Sequence, residues 1–456
     1  MRTKSFKVVL LSGLVIASLV IALGPESVVS PPSPYVGLIK VWNGPQTEWF
    51  RGICPKFVVG YTDSFLGVNE EATIVRYSEY LTIPPTIGFD YRSRLSGLQN
   101  ERFNAVTWDP LSTDVYAVGY TNTVGAGGYD ALIARFDPYL TCPSRIVRTY
   151  AAGVSSADDV FWDVTGGLND TTYVYAVGST TYYGTRDALL VKFRKADLVP
   201  VEGYVFTGAE DDQFISVTDD ATDVYIVGTT NTPPTNGDYD AWIVKFNKGP
   251  LMTYAGEWVH GGTVFDVFYG VTELGPYVYA VGSTSFPTRG YDALIVQYQK
   301  NPFIPLAGKT YGGTSDELFT AATNDGSNIF AVGHTIDPLL VSGMADALIV
   351  RFNQALVIDG QIILGGEKPD EFWDVCYDAN ELWAAGFTDS KPPYDRDALI
   401  FTVDPNLPNG TSADNCLIYK KITLPENFPL NDNEHFENYE NRWVLSPGLT
   451  CEDISL

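Results

Sequence analysis

The pattern Gly-x-Thr recurs seven times along the chain, at Gly60/Thr62, Gly119/Thr121, Gly178/Thr180, Gly228/Thr230, Gly282/Thr284, Gly333/Thr335 and Gly386/Thr388. Successive glycines stand 50 to 59 residues apart. Self-similarity at such a period marks a repeat architecture, in which one supersecondary unit is copied and each copy hides its apolar surface against the next. A chain of 456 residues is long for one ordinary domain, and the repeat explains how it can still form a single fold.

Each Gly-x-Thr closes an apolar run such as YVYAVGST from Tyr277 or DVYIVGTT from Asp223. A second run, DALIVKF or a close variant, opens 9 to 13 residues after the glycine, at Asp130, Asp187, Asp240, Asp292, Asp346 and Asp397, with Glu71 in the first unit. Upstream lies a third run carrying Phe-x-x-Val or its equivalent, as in Phe103/Val106, Phe161/Val164 and Phe372/Val375. A fourth follows DALIVKF and closes at a Gly turn, as in KTYGG and QIILGG. Val, Ile, Thr, Tyr and Phe between Gly, Pro and Asp clusters are strand signals. Four such strands joined by short connections make one antiparallel meander, a propeller blade. In DALIVKF, alternate residues point to opposite faces, yet both faces are apolar. A sheet wet on one side would alternate apolar and polar, so these strands are covered twice. Seven units whose faces all need cover predict an all-β fold, a seven-bladed β-propeller of four-stranded antiparallel blades, over residues 37–424.

Two further strand-like runs flank the units: GLIKVWNG at Gly37–Gly44 and CLIYKKITL at Cys416–Leu424. One strand more than seven blades need is therefore present. The expectation is that the N-terminal run completes the last blade and fastens the ring, while the other packs on an edge. The sharper alternative is a spare strand added to a neighbouring molecule.

The Tyr-Val-Tyr-x-Val-Gly-x-Thr strand, the Asp-Ala-Leu-Ile-Val-Lys-Phe strand and the Thr-Tyr-Gly-Gly turn before an acidic pair together resemble the SBBP-type β-propeller repeat family. The resemblance spans about residues 37 to 424 and implies the propeller fold. It also implies an exported or surface-attached bacterial or archaeal protein. The first unit departs from the pattern, with Glu71-Ala72-Thr73 in place of Asp-Ala-Leu. The aromatic content and the three methionines resemble secreted proteins of hyperthermophilic archaea.

The N-terminus reads as an export signal over residues 1–24. Arg2, Lys4 and Lys7 precede an uncharged apolar run from Val8 to Leu23, short for a membrane span. An uncleaved N-terminal anchor is the alternative, and would be the chain's one contact with a membrane. Residues 25–36 are a proline-rich linker. The net charge of −26 repels nucleic acid and anionic lipid. An exported chain can form disulfides. Cys416 with Cys451 is the first expected pair and Cys54 with Cys142 the second, while Cys376 reads as a buried thiol. Asn169 and Asn409 head glycosylation sequons.

The aspartates opening the DALIVKF strands are read as architecture, since they recur in every unit; the functional alternative is a ring of cation ligands around the channel. Arg76, Arg135, Lys192, Lys245 and Arg351 precede the closing aromatic of that strand, with Gln297 and Thr402 breaking the series. They read as partners of the acids at Asp109, Asp220, Asp325 and Asp378, or as solvated. His260, His334 and His435 form no nucleophilic arrangement, and no motif calls for a cofactor or metal. The loops between Gly-x-Thr and DALIVKF differ in every unit, lie on one rim and form the expected contact surface. The aromatic-rich acidic tail, residues 425–456, has no repeat partner. The chain is thus expected to be a secreted or cell-surface module, non-enzymatic, binding protein or glycan. The rivals are an extracellular filament subunit, joined by strand addition or tail docking, and a polysaccharide hydrolase or lyase acting at one channel mouth.

Overall fold

In the computed structural model, the described residues run from 37 to 405, apart from the connecting stretches 43–46, 64–68, 81–85, 96–98, 124–127, 142–144, 152–156, 232–237, 262–264, 287–289, 313–314, 337–343 and 391–395. Four tail segments, 418–421, 436–437, 443–445 and 450–453, complete the description. The expected signal segment (1–24), the linker (25–36), Cys142, Cys416, Asn409 and His435 lie outside it, as does the side chain of Cys451.

Seven antiparallel sheets form the body, each with four strands contributed by the repeat, save one. Within a blade the strands are called a to d from the ring axis outward. In the third blade these are a (Asp159–Thr165), b (Tyr173–Thr180), c (Asp187–Arg194) and d (Pro200–Phe206). The exception is the seventh blade, whose repeat supplies only a (Asp370–Asp378), b (Glu381–Thr388) and c (Asp397–Val403). Its outer strand is Gly37–Trp42 from the other end of the chain, paired from Gly37 opposite Val403 to Trp42 opposite Ala398. The N-terminal run therefore fastens the ring, as its surplus suggested.

The cores confirm closure. An open stack of seven sheets has six interfaces, whereas the described residues form seven separate apolar clusters, one between each pair of neighbouring blades. The seventh joins Phe50, Ile53 and Val58 of the first blade to Trp383, Ala398 and Ile400 of the last, with Trp42 packed against it. Strand c supplies both sides of its sheet: Leu189 and Val191 enter the cluster between blades 2 and 3, and Ala188 and Leu190 the one between blades 3 and 4. Each fully buried Leu or Val contributes about 1.5–3 kcal/mol, and only neighbouring blades can supply that cover.

The second surplus run packs on an edge: Ile418–Lys421 pairs with the outer strand of blade 6, Ile358–Gly365. Beyond it the tail continues the same habit. Phe436–Glu437, Trp443–Leu445 and Thr450–Asp453 add fifth strands to blades 4, 3 and 2. In chain order these additions run back around the ring.

Every strand a carries a β-bulge at one place, immediately after its phenylalanine, and the glycine of Gly-x-Thr lies opposite that phenylalanine. The bulge presses a strand-a carbonyl onto the glycine. A Cβ on Gly178 would sit 1.8 Å from the Val160 oxygen, and the other six repeat glycines would meet the equivalent oxygen at 1.8–2.0 Å. The repeat glycine is thus fixed by close backbone approach across a bulge. Gly178→Ala is expected to destabilise the protein by more than about 3 kcal/mol, the upper end for overpacking, measured as a fall in denaturation midpoint.

Candidate functional site

A bulge re-aims the extra residue, and here it aims seven residues at one place. Arg51, Asn104, Trp162, Ile215, Tyr269, Thr320 and Trp373 are the bulge residues of blades 1 to 7, and all seven line a cavity of about 240 Å³ on the ring axis. Sequence reading missed them, although a signal was present. Phe161 and Val164 are both buried in one cluster, and a spacing of three cannot keep two residues on one face of a regular strand. Phe-x-x-Val is the written form of the bulge.

Two cavity carboxyls come from different blades, and their oxygens are already used. Asp163 accepts from its neighbour Val164 N at 2.7 Å and from Ser216 Oγ and Val217 N of the next blade, both at 2.8 Å. Asp374 likewise accepts from Val375 N at 2.8 Å and from Ile53 N of the first blade at 2.7 Å. Burial pushes Asp163 up to about 6 and Asp374 up to about 8. Asn104 Nδ2 to Phe161 O (2.8 Å) and Thr320 Oγ1 to Phe372 O (2.8 Å) make the same blade-to-blade link.

The repeated polar residues are also consumed inside the ring. The acids opening strands a and c are buried throughout, from Glu48 and Glu71 in the first blade to Asp370 and Asp397 in the last. The Thr of Gly-x-Thr donates to the strand-a acid in several blades, as in Thr121 to Glu101 at 3.2 Å and Thr335 to Glu317 at 3.0 Å. Strand a of one blade hangs from the loop ahead of strand c in the blade before it: Asp212 N donates to Arg186 O at 2.7 Å, and Asp370 N to Ala345 O at 2.8 Å. Asp130, Asp187, Asp240, Asp292, Asp346 and Asp397 therefore stand at the seams between blades, all 6% exposed or less. In the acidic pairs Asp158-Asp159 and Asp211-Asp212 the second residue opens strand a, but in Asp370-Glu371 it is the first, so the pair of the seventh blade is offset by one.

The basic series is not solvated, and its acidic partners are not the expected ones: Arg135 pairs with Asp114 at 4.0 Å, Lys192 with Glu202 at 3.3 Å, Lys245 with Asp223 at 3.1 Å and Arg351 with Asp359 at 2.5 Å, while a second contact recurs along the series. Arg76 donates to Pro138 O (3.1 Å), Arg135 to Lys195 O (3.0 Å), Lys192 to Gly249 O (2.7 Å), Lys245 to Lys300 O (3.0 Å) and Arg351 to Pro405 O (2.8 Å). Each reaches the turn after strand c in the following blade. Gln297 does the same to Gln354 O at 3.0 Å. What the position shares is a donor to that turn, which is why glutamine serves. The acids named as partners are held instead by other groups: Asp109 by Lys195 Nζ at 2.8 Å and Asp220 by Lys300 Nζ at 2.9 Å.

What differs between blades gathers at one mouth. The b–c connections all leave the same end of the ring, because each Gly-x-Thr threonine pairs with the residue opening strand c, as Thr121 with Asp130. At that end, blades 7, 1 and 2 carry an arginine–aromatic cluster. Arg102 lies over the Tyr61 ring at 4.1 Å and Arg396 over Phe387 at 3.8 Å and Trp49 at 4.6 Å. Arg102 pairs with Glu70, and Arg396 with Asp389 at 2.7 Å. In blades 3, 4 and 5 the residues equivalent to Tyr61 are Ser179, Thr229 and Ser283.

Other expected sites resolve individually. Cys54 is a free thiol, 6% exposed, so it is not bridged; it is packed in the core between blades 1 and 2. Cys376 is also free and buried. Asn169 is exposed, but its amide nitrogen donates to Asp219 O at 2.6 Å. His334 lies 3.8 Å from Glu371, and burial lowers it to about 4. His260 is buried.

No family model and no curated protein matches the chain. Among solved structures it is similar to Sqt1 of Chaetomium thermophilum bound to the N-terminus of ribosomal protein L10, at 10% identity and TM-score 0.44, over 76% of this chain and 81% of that one. It is similar to the Dos1 propeller at 9% identity and TM-score 0.42, over 83% and 98%. The same holds for an apocarotenoid oxygenase mutant of Synechocystis, at 10% identity and TM-score 0.36, over 88% and 98%.

The buried carboxyls give stability a pH dependence of unusual sign. Burial first, then nearby carboxylates, raise Asp187 and Asp370 to about 6 and Asp346 and Glu371 to about 7. The unfolded chain loses these protons near pH 4, whereas the fold keeps them to between about pH 6 and 8. Their stabilisation is complete below about pH 4 and disappears as pH rises through 6 to 8. Thermal denaturation is expected to show a higher Tm at pH 5 than at pH 8. Asp220, lowered to about 2, does not titrate in that window.

Proposed function

We propose that this chain is an exported, non-enzymatic β-propeller serving as an interaction or structural module at the cell surface or outside the cell. One observation carries the reading. The polar groups that every blade repeats are spent holding blades together, while the groups that differ form a mixed arginine–aromatic mouth over blades 7, 1 and 2. Arginine and aromatic side chains are the residues that contact surfaces favour. The charge of −26 makes protein or glycan the partner and disfavours nucleic acid. Export rests on the basic start and apolar run before residue 24, and on the resemblance to the SBBP-type repeats. The two axial carboxyls weigh against hydrolysis, because backbone amides and Ser216 already occupy their oxygens.

A second reading, a filament subunit, is favoured by the tail. Among the described residues its strands are short edge additions on blades 6, 4, 3 and 2, and such pairings can be exchanged between copies.

The test applies full-length protein to immobilised polysaccharides and cell-envelope proteins, with release of new reducing ends assayed in parallel. Retention on a component, weakened at least tenfold in an Arg102→Ser, Arg396→Ser double variant and without cleavage, is the expected result. New reducing ends would overturn the non-enzymatic reading, and retention unchanged in the double variant would overturn the assignment of the mouth.

A further inference from the structure

The axial cavity contains an arrangement that the ring does not need for closure. Arg51 is the one basic residue among those lining it. On so acidic a chain a guanidinium is easily paired, and Arg102 and Arg396 are. Arg51 forms no ion pair among the described residues; it lies instead over two neighbouring indoles, 4.3 Å from the Trp373 ring centre and 5.1 Å from that of Trp49, and beside the Tyr61 hydroxyl. Its Nε is buried without a hydrogen-bond partner, and so are Nε1 of Trp162 and Nε1 of Trp373. Those three atoms have essentially no exposed surface, so what the cavity offers a ligand is the rest of the Arg51 guanidinium and the aromatic side chains of blades 3, 5 and 7. Every other bulge position is filled by a neutral side chain, so nothing in the repeat demands an arginine there.

The lining defines what would fit the cavity. A guanidinium presents a planar fork that matches a carboxylate in two parallel hydrogen bonds. Trp162, Tyr269, Trp373 and Gln213 line the same cavity. That combination suits a ring with one apolar face, several hydroxyls and one carboxylate. A cavity of about 240 Å³ is below the range of about 300–1,000 Å³ usual for larger ligands, so it accommodates one such ring. An acidic peptide side chain would answer Arg51 but leave the aromatic side chains uncovered.

We propose that the axial cavity binds a single uronic-acid sugar unit, its carboxylate on the Arg51 fork and its ring against the Trp162 and Trp373 indoles. This rests on the interaction reading above and names the ligand class for the channel beneath the mouth.

Titration calorimetry of the full chain with glucuronate, glucose and N-acetylglutamate tests it. Glucuronate is expected to bind at least tenfold more tightly than either of the others. Arg51→Gln should lower glucuronate affinity at least tenfold and bring it level with glucose. Arg51→Lys should be intermediate, since an ammonium keeps the charge but not the fork. Trp162→Ala, which removes the aromatic surface, should lose affinity by a smaller factor. Thermal denaturation of each variant verifies the fold. Equal affinity for glucose and glucuronate, tighter binding of N-acetylglutamate, absence of saturable glucuronate binding, or an unchanged Arg51→Gln variant would each overturn the proposal. If retention through Arg102 and Arg396 persists while glucuronate fails, the channel ligand is wrong and the interaction module stands; if both fail, both fall.

Discussion

Everything in this structure follows from strands that are apolar on both faces. Ala188, Leu189, Leu190 and Val191 are each 0% exposed, and no single sheet can achieve that. Every blade must be covered twice, so the row of blades can have no end. A ring of seven satisfies this with one core per seam, and the last seam closes because the first strand of the chain completes the last blade. Joining the two ends in one sheet ties closure to main-chain hydrogen bonds as well as to packing.

Two further constraints shape the ring, one within each blade and one between neighbours. Near the axis, the strand-a bulge brings a carbonyl onto the repeat glycine and turns one side chain per blade inward. Further out, a donor in strand c reaches the following blade's turn, from Arg76 to Pro138 O through Arg351 to Pro405 O. The axial constraint has the functional consequence. Because the bulge is dictated by backbone geometry, its side chain can vary, so the same device that builds the ring leaves seven positions open for a binding site. Arg51, Trp162 and Trp373 occupy three of them, below a mouth where Arg102 and Arg396 stack on Tyr61 and Phe387.

The blade count, strand order and closing strand were legible because they depend on period, on two-faced apolarity and on a surplus strand. All three are written in linear order. The site was less legible. The bulge was visible only as Phe and Val three apart, and a shared spacing does not reveal which side chain turns inward. Arg76, Arg135 and Lys192 read as partners of strand-end acids or as solvated because residue type is visible in a sequence while an acceptor carbonyl 57 to 62 residues away is not. Gln297 held the clue that a hydrogen bond to the next blade is what the whole series shares. The proline following Cys54 suggested a loop cysteine open to bridging, whereas the residue ends strand a of the first blade and is buried.

Closure by the N-terminal strand is the claim on which the rest depends, and native-state hydrogen exchange tests it most directly. If Gly37–Trp42 is the outer strand of the last blade, the alternate amides that it directs at Asp397–Val403, and those of Asp397–Val403 itself, should exchange slowly and together, at a rate comparable with the inner strands of the third blade. Fast exchange of every amide in residues 37–42 beside protected blades would mean that the ring is not fastened there, and would contradict the account.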